Sequence, residues 1–270
     1  MAANPTVQQL FDLSGKVFIV VGGARNLGRD IAEALAEAGA NGIITSRNET
    51  LAKTSAEQIG KDTGQRVLGM ALDATNENDV KNIFDYAVQE FMRLDILVNC
   101  VGGGASQGVS TQFEEQPSEE WDLLHQSNLK APYLLCKRTS MIMKSQGFGS
   151  IINVASIAGI VGRDRRVYVK GISPQSVGYA SAKSAVIGFS RDLAAYLGPY
   201  GVRVNTISPG GFKRGQPEAF IKSYSDKVPL GRMGRDGIDL KGAALFLASE
   251  ASAYVTGHNL VVDGGFTIWQ

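Results

Sequence analysis

Short apolar runs alternate along this chain with longer stretches whose apolar residues recur every three or four positions. Lys16-Val17-Phe18-Ile19-Val20-Val21 is a continuous apolar run bounded by glycines, the pattern of a strand buried on both faces of a parallel sheet. Comparable runs at 42–46, 67–72, 94–99, 150–154, 202–207 and 259–262 predict further strands. Between them, helical spacing predicts a helix carrying Leu27, Ile31, Leu35 and Ala38 on one face and closed by Gly39. Others are predicted over 48–63, 76–92, 118–146, 176–197 and 236–249. Strands separated by helices imply right-handed crossovers and a doubly wound parallel sheet with helices on both faces, an α/β fold. No composition break marks a linker and no repeat is present. One domain is expected over 1–270, with 1–12 a poorly determined polar lead-in.

Two stretches carry chemistry. Gly22-Gly23-Ala24-Arg25-Asn26-Leu27-Gly28 follows the first strand at once and opens the first long helix. Strand, glycine-rich turn and helix in that order bring backbone N–H groups and a helix N-terminus up to a pyrophosphate. The second stretch is Gly178-Tyr179-Ala180-Ser181-Ala182-Lys183, on a helix that Ser176 can cap and that Gly198-Pro199 stops. A tyrosine and a lysine four apart share one helix face. A phenol with a reference pKa of about 10 exchanges protons poorly at neutral pH. A neighbouring ammonium and the positive helix end are expected to lower it, which makes the pair a candidate general acid/base.

Composition narrows the classes. With 44% hydrophobic residues and 32 glycines the chain can bury a large core, and a formal net charge of +1 gives no general reason to bind nucleic acid or an acidic membrane. Cys100 and Cys136 lack a zinc spacing and read as core thiols. His125 and His258 are far apart in sequence, and no metal site is expected. No signal sequence and no apolar run of membrane-spanning length is evident, so a soluble, cytoplasmic protein is expected.

Taken in order, these motifs resemble the classical short-chain dehydrogenases/reductases. They are the glycine turn, Asp73 after the third strand, Asn99-Cys100-Val101-Gly102 after the fourth, Asn128, Ser156, Tyr179, Lys183, Ser208-Pro209-Gly210 and Val262-Asp263-Gly264-Gly265. The resemblance covers about 13–265 and implies a Rossmann-type dinucleotide-binding domain, with the substrate site in the loops after strands four to six. It implies that Tyr179 is the proton donor and acceptor and that Lys183 lowers its pKa and holds the nicotinamide ribose. Ser156 would orient the substrate carbonyl and Asn128 would hold a relay water. Pro132 supports this last role, because it denies the Asn128 carbonyl its helical donor; the alternative is a kink that only follows the core. The implied cofactor contacts are Gly22, Arg25, Asn26, Leu27, Gly28, Ser46, Arg47, Asp73, Ala74, Asn99, Val101, Gly102, Tyr179, Lys183, Pro209, Gly210, Gly211 and Phe212. Family members are often tetramers whose C-terminal tails reach neighbouring pockets. A homotetramer is therefore implied, with Phe266-Thr267-Ile268-Trp269 as its tail.

Departures from the family pattern set the finer expectations. Asn26 replaces a glycine of the turn, and asparagine tolerates the left-handed backbone. The usual threonine after Pro209-Gly210 is missing. An acid that would bind a ribose 2′-OH is replaced by Ser46-Arg47, and Arg25 lies in the turn; NADP is expected, with NAD beside two exposed arginines as the alternative. Asp73 is an adenine-pocket residue or a turn residue. Ser156 precedes Tyr179 by 23 positions, more than is usual in the family. The extra residues bring Arg163, Arg165, Arg166 and Lys170, either a solvated loop or a rim that meets a substrate anion. The expected function is NADP-dependent interconversion of a ketone and a secondary alcohol on a small polar substrate such as a sugar, sugar acid or oxo acid. The alternatives are a 3-oxoacyl thioester reductase and a cofactor-binding protein with little turnover.

Overall fold

The structure, a computed structural model, describes residues 4–104, 112–170 and 172–268. Trp269 and Gly171 lie outside the described residues. Seven parallel strands form one sheet in the order β3-β2-β1-β4-β5-β6-β9. They are β1 (Val17–Val21), β2 (Asn41–Ser46), β3 (Val67–Ala71), β4 (Ile96–Asn99), β5 (Gly149–Val154), β6 (Val202–Pro209) and β9 (Asn259–Val262). A two-stranded parallel pair, β7 (Phe212–Lys213) and β8 (Gly234–Arg235), lies beyond the end of β6.

All five residues of β1 are buried because the sheet is covered on both faces. Alternate side chains enter different cores, as a period of two requires. Phe18 and Val20 join Ile31 and Leu35 of α2 (Asn26–Glu37) and Leu247 of α9 (Lys241–Ala248) on one face. Ile19 and Val21 join Phe84 of α4 (Glu77–Phe91), Leu134 of α6 (Ala131–Gln146) and Ala194 of α7 (Val177–Leu197) on the other. The fold class is the one expected from the hydrophobic pattern.

Local signals set the helix ends. Asn48 caps α3 (Glu49–Thr63) by accepting from the Leu51 N–H at 2.9 Å, and Gly64 ends it in the left-handed conformation. Ser176 caps α7 by accepting from the Tyr179 N–H at 3.4 Å. Four elements differ from expectation. The single helix predicted over 118–146 is divided into α5 (Ser118–His125), a wide π turn (Gln126–Lys130) and α6. The helix predicted from 236 begins at Lys241. Two helices escape the hydrophobic pattern, α1 (Val7–Phe11) in the lead-in and α8 (Glu218–Ser225).

Strand order reverses at β1, between β2 on one side and β4 on the other. The loops leaving the carboxyl ends of β1 and β4 therefore part there and open a crevice.

Candidate active site

The glycine turn lines that crevice, a cleft of about 710 Å³. Gly22 has φ +79, and a Cβ there would lie 2.5 Å from the Cys100 carbonyl oxygen. A Cβ on Gly28 would overlap the Gly22 carbonyl, so the turn and the start of α2 close on each other only without side chains. Asn26 holds φ +54, the left-handed conformation that the family's glycine would otherwise supply.

Gly22, Arg25, Asn26, Leu27, Gly28, Ser46, Arg47, Asp73, Ala74, Val101 and Gly102 all line the cleft. Arg25 and Arg47 are exposed at its edge. Asp73 accepts from the N–H and hydroxyl of Thr75 at 2.9 and 2.7 Å, and those bonds hold its carboxyl below the ordinary range. It is thus a turn residue, and it also lines the cleft. Asn99 is placed differently: its side chain is buried in the core, donating to Asn153 Oδ1 at 2.6 Å, and does not line the cleft.

The residues fit a dinucleotide: a turn that leaves room for pyrophosphate, a helix N-terminus behind it, and a cleft running between β2 and β4. Thr45 Oγ1, beside Ser46 on the cleft, is buried with no hydrogen-bond partner among the described residues. In the sequence Thr45 reads as an ordinary strand residue, with nothing to single it out.

Past the carboxyl end of β5, Ser156 and α7 bring the second stretch together. Ser156 Oγ accepts from the Ala158 N–H at 3.1 Å and lies near enough to the Tyr179 phenol to favour its phenolate. Lys183 Nζ donates to the Val154 carbonyl at 2.9 Å and lies 5.8 Å from the Tyr179 ring centre. Burial pushes the Lys183 ammonium down to about 8. It also pushes the Tyr179 phenol up, outweighing the Ser156 hydroxyl and the Arg163 guanidinium, which both favour the phenolate. The sign is opposite to the one expected from Lys183 and the helix end. The reason is that the phenol and the amine both leave water, and each desolvation disfavours the charged form.

Asn128 is fully buried at the π turn. Its Nδ2 donates to the Gly103 carbonyl at 2.9 Å and to the Leu124 carbonyl at 3.0 Å, and its Oδ1 accepts from the Gly103 N–H at 3.1 Å. The side chain therefore clamps the loop after β4, and a Cβ on Gly102 would overlap it.

At the end of β6 Pro209 is buried, the Gly210 N–H donates to the Val262 carbonyl of β9 at 2.9 Å, and Phe212 beyond it is buried. The Gly211 N–H donates to the Tyr224 hydroxyl at 2.7 Å. Tyr224 thus supplies a polar contact close to where the family's threonine is missing. Nothing in the hydrophobic pattern around 218–225 singled it out. Arg214, beyond these glycines, pairs with Asp236 at 2.5 Å and lines the dinucleotide cleft.

The basic insertion is packed rather than loose. Val167 is 2% exposed and forms a small core with Phe220, Tyr224, Val228 and Met233. Of its four cations, Arg165 and Lys170 are exposed, and Arg166 is exposed and paired with Asp164. Arg163 alone turns inward, with Nη2 donating to the Ser176 carbonyl at 2.7 Å.

This fold and cleft define a class, the nicotinamide-dependent oxidoreductases of alcohols and ketones. A sequence profile described as enoyl-(acyl carrier protein) reductase matches residues 22–267. The chain is 35% identical to 3-oxoacyl-(acyl-carrier-protein) reductase of Vibrio cholerae over 94% of this chain and 98% of that one. It is 36% identical to D-threitol dehydrogenase of Mycolicibacterium smegmatis, covering 96% and 95%. A crystal structure of gluconate 5-dehydrogenase from Burkholderia cenocepacia, in complex with NADP and tartrate, superposes with a TM-score of 0.87 at 30% identity, covering 98% and 100%. The chain belongs to the short-chain dehydrogenase/reductase family and is an enzyme of that chemistry.

Proposed function

We propose that this enzyme interconverts a ketone and a secondary alcohol on a small polar substrate with NADP, using Tyr179 as general acid and base. The observation that carries the reading is the convergence of Ser156, Tyr179 and Lys183 beyond the end of β5, with Lys183 Nζ bonded to the Val154 carbonyl and 5.8 Å from the Tyr179 ring centre. The bound dinucleotide supplies or accepts the hydride. Ser156 holds the substrate oxygen, and Tyr179 gives that oxygen its proton on reduction and removes it on oxidation. Lys183 holds the ribose, and the Asn128 carbonyl, denied a helical donor by Pro132, holds a relay water.

Ser46 brings no charge to repel a 2′-phosphate, and Arg47 and Arg25 at the cleft edge favour one. Gly22, Asn26, Leu27 and Gly28 hold the pyrophosphate, while Asp73, Ala74, Val101 and Gly102 line the adenosine side. Asn99, Pro209, Gly210, Gly211 and Phe212 support the nicotinamide end. A sugar, sugar acid or oxo acid is the substrate class, in keeping with a D-threitol dehydrogenase relative and a neighbour crystallised with tartrate. The second reading, a 3-oxoacyl thioester reductase, is favoured by the Vibrio cholerae relative. A cytoplasmic homotetramer completes the proposal.

Fluorescence titration with NADPH and NADH is expected to give tighter binding of NADPH. A panel of polar ketones and 3-oxoacyl thioesters, followed by nicotinamide absorbance, distinguishes the two substrate classes. Tyr179→Phe is expected to lower kcat by at least about 100-fold while NADPH still binds. A variant as active as the parent removes Tyr179 from the chemistry.

A further inference from the structure

Two cations are held against the start of the helix that carries the Tyr179 phenol. Lys183 comes from the same helix, and Arg163 comes from the insertion. The other groups acting on the phenol are the Ser156 hydroxyl, the Cys100 thiol and the Tyr168 side chain.

Three observations single out Arg163. Its Nη2 is fastened to the carbonyl of Ser176, whose own hydroxyl accepts the Tyr179 N–H. The guanidinium therefore belongs to the helical turn that carries the phenol. Its Nη1 is buried and has no acceptor among the described residues. A buried charged donor without a partner is costly to keep, unless an anion forms beside it during function. Finally, the adjacent acid does not neutralise it: Asp164 is paired with Arg166 at 2.8 Å and Lys227 at 3.6 Å.

Lys183 differs in kind. It spends a donor on Val154, and as an amine desolvated in the core it can shed its proton in mildly alkaline solution. A guanidinium keeps its charge throughout that range.

We propose that Arg163 is a positioning residue for proton transfer, the permanent counter-charge of the Tyr179 phenolate, so that the acid/base works between two cations. The proposal rests on reading Tyr179 as the acid/base. On oxidation the alcohol O–H bond breaks and its proton forms the Tyr179 O–H, while the hydride passes to the bound dinucleotide. Reduction reverses both transfers. Arg163 exchanges no proton and stabilises the state in which Tyr179 has given its proton up.

The test uses Arg163→Met and Arg163→Lys in the full chain with two readouts. Ultraviolet difference titration of each protein against the same chain carrying Tyr179→Phe reports phenolate formation at position 179 without turnover. The pH profile of kcat/KM for alcohol oxidation reports the working base. In Arg163→Met the phenolate titration and the rising limb are both expected at higher pH than in the parent, with oxidation at neutral pH slower by roughly tenfold. Arg163→Lys is expected to recover part of both. A phenolate titration that coincides with the parent's in both variants overturns the proposal, and so does slower oxidation with an unmoved limb. If no alcohol or ketone turns over, the acid/base reading fails on the second readout while the first still reports on Arg163.

Discussion

Lys183 carries an ammonium into a position 4% exposed to solvent, with the Val154 carbonyl as its hydrogen-bond acceptor. Holding it near 8 rather than at its ordinary value of 10.5 costs the folded state on the order of 3 kcal/mol where the amine is charged. The sign follows from proton binding. Between about 8 and 10.5 the unfolded chain binds the proton that the folded chain has lost, so stability rises with pH across that window. Lys183→Met is therefore expected to be more stable than the parent at pH 7, by a margin that shrinks as pH approaches 10. Denaturant melts at both pH values check this, and a difference independent of pH would mean that the amine does not titrate there. The cost is borne at a site that needs a cation, where stability and chemistry make opposite demands.

At the scale of elements, α8 and the insertion form a unit that the sheet does not require. Phe220 packs on Tyr224 with ring centres 6.0 Å apart and on Tyr168 at 5.7 Å, joining α8 to the insertion. Tyr224 then holds the Gly211 N–H. Removing the Phe220 ring is expected to cost about 3 kcal/mol within this small core. Because loops after β1 to β4 build most of the dinucleotide cleft, Phe220→Ala should raise KM for the ketone severalfold and leave NADPH affinity unchanged. Steady-state kinetics beside a fluorescence titration separates the two. Equal losses in both would mean that the small core supports the cleft as a whole. The π turn before α6 works at the same scale: it puts Asn128 where its side chain reaches both ends of Gly103.

At the scale of the molecule, large apolar side chains remain exposed on the helices of one face. Trp121 and Leu123 of α5, Tyr133 and Met141 of α6 and Tyr196 of α7 are each between 45% and 60% exposed. An apolar surface of this kind fits burial between copies of the chain. Light scattering at micromolar concentration is expected to give about four times the 28.8 kDa chain mass. A monomer would show that these helices face solvent. Among the described residues no helix is long and apolar enough to cross a membrane.

The parallel sheet was legible because strands covered on both faces must be apolar throughout, as β1 is. The glycine turn was legible because Gly22 and Gly28 sit where any Cβ collides with backbone. The order of Ser156, Tyr179 and Lys183 was equally open to reading. What sequence could not settle was how charges and loops sit in three dimensions. Asn99 turned into the core, α8 is too short, at 8 residues, to stand out as a helix by its spacing, and one insertion cation of four turned inward. Tyr179 lies on the acidic side of the expected balance only in the pull of its neighbours, because burial outweighs them. Spacing along the chain fixes which groups share a helix face; only packing decides how much water each one loses, and that loss sets the sign.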